Sequence, residues 1–213
     1  MIAVFQRQLC SGWVYPCTEE DIRQKLTQIP SEDLEGLAAI GLVPELFNSR
    51  HNYGTYYWEN KYECRPTIHI PAWREHLSFK QKPQVSRGEV YAFCAVELSY
   101  GMQLTQTGDR WLCQWCKESS RAFIRDHVLL HEVGHHACHL KRLRQGLNAC
   151  PGTRVCEQYA EDYALRLSRT ASHLTRSSPL RNHCPTWPHG ARLPHMPQQG
   201  CRRSPAQRAG LKR

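Results

Sequence analysis

The segment HVLLHEVGHHACHL, from His127 to Leu140, limits what this chain can fold into more than any other stretch. It sets five histidines and one glutamate among valine, leucine and alanine within fourteen residues. Apolar neighbours at helical spacing call for burial, and buried imidazoles and carboxylates need hydrogen-bond partners or an ion. Buried without a metal, two of the imidazoles and the carboxylate would be left needing partners.

The segment reads as part of a long helix from Ser119 or Ser120 to about Gln145. Phe123, His127, Leu130, Gly134 and Cys138 trace one side, and Gly146 stands at the expected C-terminal cap. Inside it, His131-Glu132-Val133-Gly134-His135 spells HExxH. Residues four apart lie about one turn apart on one face, so both imidazoles can reach one ion. Neutral imidazole suits Zn²⁺, which catalytic sites hold with three protein ligands and a water; Fe²⁺ or Co²⁺ would accept the same donors. Glu132, beside the first histidine, is placed to take the proton of that water as it attacks a carbonyl. His127, His131, His135 and His139 form a ladder at spacings of four, yet only the His131/His135 pair has a glutamate where this chemistry needs it. His127 is expected to be a hydrogen-bonded neighbour of the pair, with His136 and His139 facing solvent.

A second helix is expected from about Val155 to Arg169, carrying CEQYAEDYALRL after the loop GLNACPGTR. LLHEVGHH followed about twenty residues later by EQYAEDYA resembles the zincin metallopeptidases whose third ligand is a glutamate. Its form is most similar to the ImmA/IrrE-like bacterial metallopeptidases, over about residues 119 to 168. The resemblance implies that His131, His135 and Glu157 bind zinc, that Glu132 is the general base, and that Glu161 orients a ligand histidine. Glu161 stands where such chains carry Asn or Asp. Tyr159 and Tyr163 are expected to pack in the core.

Upstream, TEEDIRQKLTQIP reads as a short helix with Thr18 as N-cap, acids in its first turn and Pro30 past its end. SEDLEGLAAIGL reads as another helix capped by Ser31, with Leu34, Leu37 and Ile40 on its apolar face. GTYYWEN and PTIHIP read as short strands, and EVYAFCAVEL favours a helix. Pro66 and Pro71 bracket PTIHIP, which fits either an edge strand, onto which an extended substrate could add, or an ordinary core strand. Cys113-Gln-Trp-Cys116 is half of a zinc knuckle. Cys10, Cys17 and Cys64 are poorly spaced to complete it, so the pair reads as unrelated thiols.

The net charge of +9 does not make this a nucleic-acid binder. Ten of the 28 Lys and Arg lie beyond Asp162, the last acid, so the chain up to that point carries 18 basic against 19 acidic side chains. Nucleic acid is therefore expected to meet only the tail, if anything. The N-terminus lacks a basic region and a long apolar run, so a cytoplasmic location without a membrane partner is expected.

The expected architecture is α+β: an N-terminal extension over 1–14, a zincin-like metallopeptidase domain over 15–169, and a basic, disordered Pro/Arg/Ser-rich tail over 170–213. A small mixed sheet would pack on the HExxH helix and the second ligand helix. The expected activity is zinc-dependent hydrolysis of a peptide bond in a protein or peptide substrate. The alternative is a non-catalytic zinc-binding regulatory or interaction module built on the same site.

Overall fold

The computed structural model describes residues 1–9, 11–44, 53–58, 65–73, 76–80, 85–147 and 153–174, with backbone alone at 76–80, 153 and 169–174. It is a mixed α and β structure. Strands β1 (Ala3–Gln6), β2 (Ala39–Val43), β3 (Thr55–Tyr57) and β4 (Thr67–Pro71) form one sheet in the order β1-β2-β4-β3. The first two and β4 run parallel, while β3 is antiparallel to β4 and occupies one edge. A second, antiparallel sheet joins β5 (His76–Lys80), β7 (Arg110–Gln114) and β6 (Gln103–Thr107) in that order. A two-residue loop links β6 to β7. It needs the left-handed backbone that Gly108 supplies at φ 61°.

Helix α1 (Glu19–Leu26) begins as the sequence indicates: Thr18 caps the Asp21 N–H, and the Asp21 carboxylate returns a bond to the Thr18 N–H at 2.8 Å. EVYAFCAVEL is also helical, split into α2 (Arg87–Phe93) and α3 (Ala95–Ser99).

The Ser31 segment departs from expectation. Only Ser31–Asp33 turn, as a 3-10 element, and Gly36 at φ 75° breaks the path before Ala39–Val43 extends as β2. All five β2 residues are buried. A strand covered on both faces shows no polar alternation and so mimics a buried helix in sequence. PTIHIP is likewise an interior strand, leaving β1 and β3 as the edges. Residues 1–14, expected as an extension, supply β1, and Val14 bridges to Trp73.

The histidine segment lies on a continuous helical path: α4 (Lys117–Phe123), a π turn at Ile124–Val128, then α5 (Leu129–Arg144). Cys116 caps its start by accepting from the Ser119 N–H, and Cys113 is buried beside Cys94 and Met102. Both are free thiols in unrelated roles. Helix α6 (Thr153–Leu174) extends beyond the expected Arg169 into the residues assigned to the tail. From 175 onward, the tail reading lies outside the described residues. The main core fills the space between the four-stranded sheet and α5, with Ile40, Leu42, Ile68 and Ile70 from the strands meeting Leu129, Leu130 and Val133. Among the described residues, no helix is long and apolar enough to cross a membrane.

Candidate metal centre

Two small residues bring the motif segments together. A Cβ built on Gly134 would lie 2.7 Å from the Ala160 Cα and 3.1 Å from the Tyr163 Cβ, so α5 and α6 touch backbone to backbone there. Glu157 sits three residues before Ala160 on α6 and so projects from the same face of that helix. Tyr163, buried between the helices, anchors α6 by donating its hydroxyl to Asp33 at 2.8 Å, and Tyr159 stacks beside it. Both tyrosines pack, as their sequence positions indicate, and neither lines the cleft described below.

The Nε2 atoms of His131 and His135 lie 3.2 Å apart. Glu157 places one carboxylate oxygen 3.3 Å from the first and the other 3.6 Å from the second. A tetrahedral ion with bonds of about 2.0–2.1 Å holds its ligand atoms roughly 3.3–3.4 Å apart, which is the size of this triangle. The three residues sequence reasoning grouped are therefore brought together and could hold one metal ion. The Glu157 side chain is 61 % exposed, at the rim of the group, and still reaches both imidazoles.

The far sides of the imidazoles also have neighbours. The His135 Nδ1 lies 3.2 Å from the Cys156 Sγ, and the His131 Nδ1 is 3.4 Å from a Glu161 oxygen, a long contact outside good hydrogen-bond geometry. With Nδ1 carrying the proton, each ring turns a bare Nε2 toward the centre of the triangle. His127 is buried against Phe123 and lies 3.7 Å from Glu161, beyond the reach of the expected hydrogen bond. His127, His131 and Glu161 form a second cluster that could hold a cation.

Burial and charge set the protonation of the group. Burial, then the neighbouring His131, push the His135 imidazole down to about 4, so it is neutral at pH 7. Burial also opposes a charge on His131, but the carboxylates of Glu161, Glu132 and Glu157 outweigh it and hold that ring above the ordinary histidine value. His131, against opposing burial, holds the Glu161 carboxyl below the usual range, and His127 adds to the effect. Glu132 is 7 % exposed. Burial pushes its carboxyl up to about 7, while His131 and a bond from the Tyr56 backbone N–H oppose the rise.

Edge strand β3 holds Glu132 from the other side. A Cβ on Gly54 would lie 2.7 Å from the Glu132 Cγ, so only glycine leaves room for that side chain. Glu132, the three grouped residues and β3 line one cleft of 510 Å³.

The outer histidines correct the sequence reading. His136 is 0 % exposed, not solvent-facing. Its Nε2–H donates to the Glu35 carbonyl at 2.9 Å, which leaves Nδ1 to accept the Tyr56 hydroxyl at 3.1 Å. His139 is buried as well, with its Nδ1 3.3 Å from the same hydroxyl. These two rings fasten β3 to α5 through Tyr56. They could not be told from surface histidines because a strand distant in sequence supplies their partner. Sequence reasoning also missed Cys156, Gly54 and Tyr56; the position of Cys156 directly before Glu157 was the only available signal.

No family model, no curated protein and no solved structure matches this chain. Its chemistry has to be read from the residues themselves.

Proposed function

We propose that this chain is a zinc-dependent metallopeptidase similar to the zincins with a glutamate third ligand, of the ImmA/IrrE-like kind. The observation that carries this reading is the ligand-sized triangle of His131, His135 and Glu157 with the buried carboxyl of Glu132 in the same cleft. Two imidazoles and a carboxylate fit Zn²⁺ in number, softness and spacing. When bound, such an ion supplies a Lewis acid that polarises a carbonyl and makes water easier to deprotonate.

The chain's own residues do the rest. Glu132, tuned close to neutrality, takes a proton from the attacking water and passes it to the leaving amine. Glu161 and Cys156 hold the rings of His131 and His135 from behind. Gly54 and Tyr56 keep the Glu132 carboxyl aimed from the cleft wall. Because β3 is an edge strand and borders the cleft, an extended peptide can lie along it by adding a strand.

A zinc module without catalysis would use the same three ligands but would give a buried Glu132 nothing to do, and burying a carboxylate is costly. The Glu132→Gln variant decides between the two. Elemental analysis is expected to find zinc retained in Glu132→Gln and lost in His135→Ala, with cleavage of a denatured casein substrate lost in both. Zinc content equal in wild type and His135→Ala would remove the site. Undiminished cleavage by Glu132→Gln would remove the mechanism.

A further inference from the structure

The cleft is lined by four carboxylates, Glu97, Glu132, Glu157 and Glu161, and by no lysine or arginine among the described residues. Three of these already have work at the metal centre. The fourth, Glu97, does not. It projects from α3, is 6 % exposed, and receives hydrogen bonds from the Tyr53 hydroxyl and from its own backbone N–H. Glu161 is near enough for the two carboxyls to repel each other. Burial, with a smaller contribution from Glu161, raises the Glu97 carboxyl above its ordinary value, and a cation placed against it in the cleft would favour the ionised form.

The walls around Glu97 suit the rest of such a ligand. Tyr53, Val96 and Phe123 supply apolar surface, and Phe93, 59 % exposed, stands at the mouth. Aliphatic stems pack against such surfaces while the charged end reaches onward, and ring faces attract cations. We propose that Glu97 is a specificity residue that binds a cationic group of the peptide substrate, an ammonium or guanidinium, in the subsite walled by Tyr53, Phe93, Val96 and Phe123. This rests on the peptidase reading, and it narrows the substrate class to peptides that present a positive charge near the scissile bond. The charge can come from a Lys or Arg side chain or from the peptide's own N-terminus.

Binding tests this without requiring turnover. The zinc-loaded full chain is titrated with 4-phenylbutylamine and with 4-phenylbutanol by calorimetry at pH 7.5. The amine is expected to bind at least tenfold more tightly than the alcohol, about the effect of one charge-assisted hydrogen bond. Glu97→Gln is expected to erase that preference with zinc content unchanged. Equal binding of the two probes to wild type, or a preference that survives Glu97→Gln, overturns the proposal. Should Glu97→Gln not fold, Glu97→Asp withdraws the charge by one methylene, and an undiminished preference there overturns it equally. Displacement of the amine by N-acetyl-arginine amide assigns the subsite to a side chain. Displacement by unblocked alanyl-phenylalanine amide assigns it to the peptide N-terminus, and displacement by neither overturns the proposal. A chain that cleaves no peptide yet keeps the amine preference leaves the subsite standing while removing the peptidase reading.

Discussion

Gly134→Ala tests the link between packing and chemistry more directly than any change to a ligand. The added methyl would sit 2.7 Å from the Ala160 Cα, 3.1 Å from the Ala160 carbonyl oxygen and 3.1 Å from the Tyr163 Cβ. None of these atoms can turn aside by changing rotamer. Comfortable carbon contacts begin near 3.5 Å, so α6 has to retreat by roughly 0.8 Å. Overpacking of this kind costs about 1–3 kcal/mol, while replacing a mid-helix glycine with alanine recovers about 1 kcal/mol of helix propensity. The two effects nearly offset, and global stability is expected to fall by no more than about 2 kcal/mol.

Metal affinity has no such offset. Glu157 rides on α6 one turn before Ala160 and moves with it, whereas His131 and His135 stay on α5. Metal–ligand distances tolerate only about 0.2 Å of change. The shift therefore exceeds the tolerance several-fold, and zinc affinity is expected to drop by about 10–100-fold, the range seen when a ligand's support is removed. Chelator competition reads the affinity and urea unfolding of the metal-free chain reads the stability. Gly88→Ala is the control: its Cβ would meet nothing closer than 3.9 Å, so it is expected to leave both unchanged or slightly raise stability. If Gly134→Ala were stabilised like an ordinary helical glycine replacement and bound zinc as wild type does, the backbone contact between the helices would be refuted.

Two further outcomes follow from the same packing. His136→Ala is expected to cost about 2–4 kcal/mol in urea unfolding, because it opens a cavity and removes the bond to the Glu35 carbonyl and one of the two imidazoles at the Tyr56 hydroxyl; a solvent-facing histidine would cost under about 0.5 kcal/mol. Asp21 ties α1 to α4 through the Arg121 Nε at 2.9 Å. Burial pushes its carboxyl up, but Arg121 and Thr18 prevail and hold it below its ordinary value. A depressed folded pKa gives stability that is complete above the unfolded value, near 3.9, and is lost as pH falls through the folded one. Unfolding midpoints between pH 6 and pH 3 should therefore fall more steeply for wild type than for Asp21→Asn, and parallel slopes would contradict the assignment.

What could be read in the sequence, and what could not, divides along the range of the interaction. Capping and helical periodicity are local, so Thr18 and the course of α5 were legible from their neighbours in the chain. His131 and His135 were legible as a pair from their spacing of four on one helix, and Glu157 was added by the resemblance of EQYAEDYA to the zincins; the structure brings the three together. Strand β2 was not, since its apolar run fits a buried helix equally well until β1 and β4 are seen beside it. The burial of His136 and His139 was not either, because it depends on Tyr56, some eighty residues earlier.

The small residues of the two motifs have a common cause. In HEVGHH the glycine stands between the two candidate ligands, and in EQYAEDYA the first alanine stands one turn beyond the third. Gly134 and Ala160 are the pair at which α5 and α6 meet. Helices with ordinary side chains at the crossing stand about 8–10 Å apart axis to axis, and a larger residue at either position would lift the Glu157 carboxylate away from both imidazoles. The spacing of the donors and the smallness of the residues between them are thus one requirement. A chain that kept HExxH and the distal glutamate but carried bulk at either contact position would retain the ligands in its sequence and lose the triangle in its fold.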